Sequence, residues 1–171
     1  MESFCMSISQ RINDNGYSAR IDAIREMNHL FTKVGFPEKG TPQESTRKGS
    51  GRDMTNEMSE IVKIAAVHEF GAPSRNIPER SFVRSSFDEN FIALQEFKKK
   101  EASLVIQGKQ SAMTGIRKIG EWMTNKTKLK INSNVPPKLA DVTVARKRST
   151  RTLIDTAQML NSVQHEEAYV Q

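Results

Sequence analysis

The chain has 171 residues, of which 36% are hydrophobic and 6% aromatic, and it carries a formal charge of +6. That length suits one domain, and eight Phe, eight Met and one Trp are enough to close a small core rather than leave the chain disordered. Cys5 is the only cysteine, which excludes an intrachain disulfide and a cysteine-based zinc site, and no apolar run approaches the ~18 residues of a membrane span. Met-Glu-Ser at the start is not a secretory leader, so the reading is a soluble intracellular protein with no membrane partner.

Phe4, Ile8 and Ile12 recur at four-residue spacing and predict a helical arm over residues 1–16, broken at Asn13-Asp14-Asn15-Gly16. Ser18 is placed to cap a second helix running to Leu30, with Ile21, Ile24, Met27 and Phe31 on one stripe. Thr32 to Pro37 is short, β-prone and stopped by proline, which predicts a strand. Residues 38–56 are polar and rich in Gly and Pro, a composition that predicts a flexible loop. This loop is expected to order against a neighbouring subunit, with Lys48 and Arg52 reaching a partner's carboxylates.

Asn56 to Phe70 follows helical spacing through Met58, Ile61, Val62, Ala65 and Ala66, and Gly71 sits where a helix C-terminus needs positive φ. After a proline-containing turn, Ser86 and Glu89 have capping-box spacing and predict a long helix from about Phe87. Phe87, Phe91, Leu94 and Phe97 are its expected buried stripe, and Lys98 to Glu101 its solvated end. Ser111 to Lys128 predicts another helix, ended by Val135-Pro136-Pro137. Leu139 to Arg148 reads as a short helix or turn, Asp155 or Thr156 as a cap for one more turn, and Ser162 to Val170 as a closing strand.

Candidate chemistry is sparse. His68-Glu69 begins like a zinc-protease helix, but position 72 is Ala, and His29 and His165 show no ligand spacing. Gly40 to Gly51 lacks the Gly-Lys-Ser/Thr ending of a phosphate-cradling loop, and no nucleophile–base pair is legible. The sequence therefore predicts no enzyme, no catalytic residue, no metal and no cofactor. Residues 117–151 hold ten basic and two acidic groups, a distribution that suits phosphate contacts, so a basic DNA-binding module is the alternative reading.

Three blocks resemble the virion morphogenesis or tail-completion family of tailed bacteriophages. Ile64-Ala65-Ala66-Val67-His68-Glu69-Phe70-Gly71 is similar to that family's Ala-x-x-His-Glu-Phe-Gly. Ile77-Pro78-Glu79-Arg80-Ser81-Phe82-Val83-Arg84 is similar to its Ile-Pro-x-Arg-x-Phe-hydrophobic-Arg, with Ser81 in place of a frequent Pro. Pro136-Pro137, Thr143, Lys147 and Leu153 to Val163 resemble its third block, with Ala157 where Gly is usual. The resemblance implies an α+β fold, with several helices around a small antiparallel sheet. It also implies a non-enzymatic structural role at the head–tail junction of the virion, assembled in the host cytoplasm. The implied partners are copies of the chain in a hexameric or dodecameric ring, neighbouring connector and tail proteins, and DNA passing through the ring. His68, Glu69, Gly71, Arg80 and Asp155 are the expected structural motif residues, with Glu69 and Arg80 as a carboxylate–guanidinium pair, and Lys48, Arg52 and Arg84 the expected subunit contacts.

Overall fold

The computed structural model describes residues 16–36, 54–139, 144–145, 153 and 158–170. The expectations placed on the N-terminal arm, on Lys48 and Arg52 and on Asp155 lie outside these residues. The fold is α+β: α1 (Tyr17–His29), β1 (Leu30–Gly35), α2 (Met54–Phe70), α3 (Val83–Ile106), α4 (Ala112–Asn132), a short α5 (Gln158–Ser162) and β2 (Gln164–Tyr169). The strands pair antiparallel, with Leu30 opposite Tyr169 and Gly35 opposite Gln164. No described helix is long and apolar enough to cross a membrane.

α4 is the central element. It packs against α3 on one flank and against both strands on another. Its starting cap is Ser111, whose hydroxyl accepts from Thr114 N at 3.2 Å. Ile119 and Met123 are buried with Leu94 of α3, and Phe97 stacks on Trp122 at 5.7 Å between ring centroids. A second cluster joins Ala65, Phe82, Ile131, Val135, Leu153, Met159 and Val163, and so draws α2 and the C-terminal segment onto the end of α4. A third closes Leu30 onto Val105 and Ala112, with Ala23 and Met27 of α1 against it.

Several expectations are corrected. α1 begins at Tyr17, not behind a Ser18 cap; Gly16, at φ 77°, enters the helix with no side-chain cap. α3 begins at Val83, four residues before Phe87, and Ser86 is a buried interior residue whose hydroxyl meets Thr127 Oγ1 at 3.0 Å. Starting earlier turns the stripe: Phe87 and Phe91 are 43% and 46% exposed, and of the four predicted residues only Leu94 is buried. Glu101 is buried as well, because Gln110 Nε2 donates to it at 2.7 Å and Lys118 Nζ lies 3.6 Å away. A carboxylate tolerates such burial only with donors of this kind around it.

Gly120 is where the sheet comes closest to α4. A Cβ there would lie 2.5 Å from Thr32 Oγ1 and 2.8 Å from His165 Cδ2. Gly120→Ala therefore gains helix propensity but must push the sheet outward. A net loss of about 1–3 kcal/mol in chemical unfolding is expected, in the range of core overpacking. An unchanged midpoint would show that the sheet yields freely.

Candidate functional site

The residues that carry the sequence motifs meet in one corner. α2 ends at Phe70, and Gly71 turns the chain at φ 73°. A one-turn 3-10 helix, Pro73–Arg75, and Asn76 at φ 53° then reverse it, and Ala72 and Ile77 pair across the turn. The returning segment passes alongside the end of α2. Arg80 N donates to His68 O at 2.7 Å, and a Cβ on Gly71 would lie 2.8 Å from Glu79 N. Only a glycine satisfies both the backbone angle and that approach.

Glu69 is the centre of the corner. Its carboxylate accepts from Phe82 N at 2.8 Å, Val83 N at 2.9 Å, Arg84 N at 3.0 Å and Ser81 Oγ at 2.8 Å. These backbone donors are the orphan N–H groups at the start of α3, so Glu69 caps a helix that begins fourteen residues further along the chain. Burial pushes its carboxyl up, but the N–H groups of Val83 and Arg84, the Ser81 hydroxyl and the N–H of Phe82 together hold it below its ordinary value.

The expected Glu69–Arg80 pair does not form. Arg80 is buried and points elsewhere, donating Nε to Pro137 O at 2.9 Å and a terminal nitrogen to Lys138 O at 3.4 Å. Burial lowers its guanidinium. The physical reason is competition: the start of α3 presents three adjacent N–H donors to Glu69, and Arg80 meets carbonyls that need a donor. The cation that reaches Glu69 is Arg84. Its Nε lies 3.4 Å from Glu69 Oε1, a terminal nitrogen lies 2.5 Å from Glu79 Oε1, and the guanidinium sits 5.5 Å from the Phe70 ring centroid. Hydrogen bonds to Glu69 and then Glu79 raise it above its ordinary value. Arg84, expected at a subunit contact, is thus held within the chain, with its side chain 55% exposed.

Sequence reasoning singled out His68, Glu69, Gly71 and Arg80, and the structure brings all four together. It missed Ser81 and Phe82. Their signal was a hydroxyl and an apolar residue immediately before a helix start, and it stayed hidden while that start was placed at Phe87. The third block closes the same corner. Pro137 supplies the carbonyl for Arg80, and Leu153, Met159 and Val163 are buried with Ala65 and Phe82.

Two recesses lie elsewhere. One of about 410 Å³ is lined by Glu121, Lys128 and His165 among others, and one of about 380 Å³ lies between β1 and α3. Among the described residues no group of three His, Cys, Asp or Glu side chains is placed to hold a metal ion. No protein-family model, curated protein or solved structure matches the chain.

Proposed function

We propose that the chain is a non-enzymatic structural protein of the head–tail connector or tail terminus of a tailed bacteriophage. It works as one subunit of an oligomeric ring at the head–tail junction, assembled in the host cytoplasm. One observation carries this reading: the three blocks that resemble the family converge on one corner, and their polar groups are spent on holding backbone. Glu69 has four donors on it, and Arg80 is directed at two carbonyls. A general base needs an accessible lone pair and a substrate-facing geometry, which a saturated, buried carboxylate lacks. The motif thus reads as a device for fixing the angle between α2 and α3.

The surface supports assembly. Ile64 and Phe70 of α2 are 51% and 66% exposed, and Ile92 of α3 is 79% exposed, apolar area of the kind that subunit contacts cover. The DNA-binding alternative draws less support. Of the five basic residues of α4, Arg117 lies beside Glu167, Lys118 beside Glu101, Lys130 beside Glu89, and Lys126 over the Trp122 ring. Those cations are engaged within the chain.

The test is stoichiometric. A ring component must stay in the particle, whereas a catalyst can act in trace amounts. Purified virions should contain several copies each, and an extract lacking the protein should regain head–tail joining only when comparable amounts are returned. Absence from mature virions, or rescue at far below one copy per particle, would overturn the reading.

A further inference from the structure

β1 has a vacant edge that faces an apolar groove. Val170 N donates to His29 O at 2.7 Å, in register with the strand pairing. Antiparallel ladders alternate, so Phe31, Lys33 and Gly35 turn their backbone groups toward β2, while Thr32 and Val34 turn theirs outward. Outward lies the recess of about 380 Å³, walled by β1 on one side and by Phe87 and Leu94 of α3 on the other, with Ile119 and Met123 of α4 as its floor. Among the described residues no strand pairs with that edge. An unpaired edge over an apolar floor is the geometry that accepts an added strand.

The chain itself carries a segment of matching pattern. Phe4, Met6 and Ile8 alternate with Cys5, Ser7 and Ser9, which gives a strand one apolar face for the floor and one polar face for solvent. The charges also match. Lys98 is the only charged residue lining the groove, and Glu2 is the only charged side chain among the first ten residues. The four-residue spacing of Phe4, Ile8 and Ile12 serves a helix equally well, but only the extended form can satisfy the outward N–H and C=O groups of Thr32 and Val34.

Reach decides whose groove is filled. The first turn of α1, Tyr17 to Arg20, is exposed, and thirteen helical residues place it about 20 Å along the helix from Leu30, where β1 begins. Returning residues 4–9 to the chain's own groove would need residues 10–15 almost fully extended, at about 3.3 Å each, through the Asn-Asp-Asn stretch. We propose that residues 4–9 of one copy enter the groove of the next copy as a strand against the outer edge of β1. This rests on the ring reading above. Such an exchange is head-to-tail, so it propagates around a closed ring.

Cys5 makes the proposal testable in the full-length protein, since the chain has no other cysteine. In the added pair Lys33 occupies a non-hydrogen-bonded position, where facing Cα atoms lie within disulfide range. Lys33→Cys should therefore cross-link to Cys5 between chains on mild oxidation. Non-reducing gels should show dimers and higher multiples that vanish in the Cys5→Ser, Lys33→Cys double variant. Glu166→Cys, one strand further away on the same face, should cross-link at least tenfold less. Met6→Asp added to Lys33→Cys should cut the yield by a similar factor while leaving the unfolding midpoint in place. No cross-link at any protein concentration, closure within one chain only, or equal yield from Glu166→Cys would each overturn the exchange. Virions that contain the protein but yield no cross-link would overturn the exchange alone, whereas virions without the protein would overturn the ring reading.

Discussion

Replacing Glu69 with Ala should destabilise the fold by about 3 kcal/mol, close to the upper end for a point substitution. The carboxylate takes three backbone N–H groups and one hydroxyl at 2.8–3.0 Å, and the N–H of Phe82 is buried where water cannot replace it. Each buried donor left without an acceptor costs about 1–3 kcal/mol, and the Val83 and Arg84 groups recover part of their loss by hydration. Glu69→Gln should cost about 2 kcal/mol, since one acceptor oxygen survives while the new amide group turns N–H toward N–H. The carboxyl sits below its ordinary value in the fold, so the folded state prefers the ionised form. Its contribution is therefore complete above the unfolded-state value near ~4.3 and is lost as pH falls through the lower folded value. Equilibrium unfolding of the two chains at a series of pH values tests both points. The gap between wild type and Glu69→Gln should be constant at neutral pH and shrink in acid. A gap independent of pH down to the acid transition would mean that the charge on Glu69 does not matter.

How much of this corner is legible in the sequence depends on the range of each interaction. Gly71 is legible because a glycine after a helical run is a local signal, as are Ser111 as a cap and the prolines after Val135. β1 and β2 are legible as short alternating runs, although nothing local shows that they pair. The start of α3 is not, because its cap comes from Glu69 on another helix while Ser86 offers a decoy with the right spacing to Glu89. That one displacement of four residues also misplaces the buried stripe and leaves Phe87 and Phe91 on the surface. Glu101 follows three lysines and looks solvated. Its burial depends on Gln110 and Lys118 reaching back across the turn between α3 and α4. Glu69 and Arg80 were recognisable as important but not as separate. Which carbonyls and N–H groups a charged side chain finds is decided by segments distant in the chain, here the start of α3 and Pro137.

Gly71→Ala is the second large effect expected, and Gly108 supplies its internal control. Both residues end helices with nearly the same left-handed backbone, φ 73° and 71°. Placing a Cβ in that region costs about 1–2 kcal/mol by itself. At Gly108 nothing lies within 4 Å of the added atom, so the backbone term should be the whole cost. At Gly71 the Cβ would also meet Glu79 N at 2.8 Å and Ile77 O at 3.2 Å, and these are backbone atoms that no rotamer change can move. The segment 77–80 must then shift away from α2, stretching the bond from Arg80 N to His68 O and unseating the α3 start from Glu69. The expected losses are about 1 kcal/mol for Gly108→Ala and about 3 kcal/mol for Gly71→Ala, read as midpoint shifts in denaturant at constant slope. The two variants should also separate in assembly. If the corner sets the angle at which α2 and α3 present Phe70 and Ile92 to a neighbour, Gly71→Ala should lower incorporation into particles at temperatures where the chain remains folded, and Gly108→Ala should not. Equal stability losses would show that the close approach at Glu79 relaxes at no cost. Unequal losses with equal incorporation would confine the corner to folding and remove it from any part in joining head to tail.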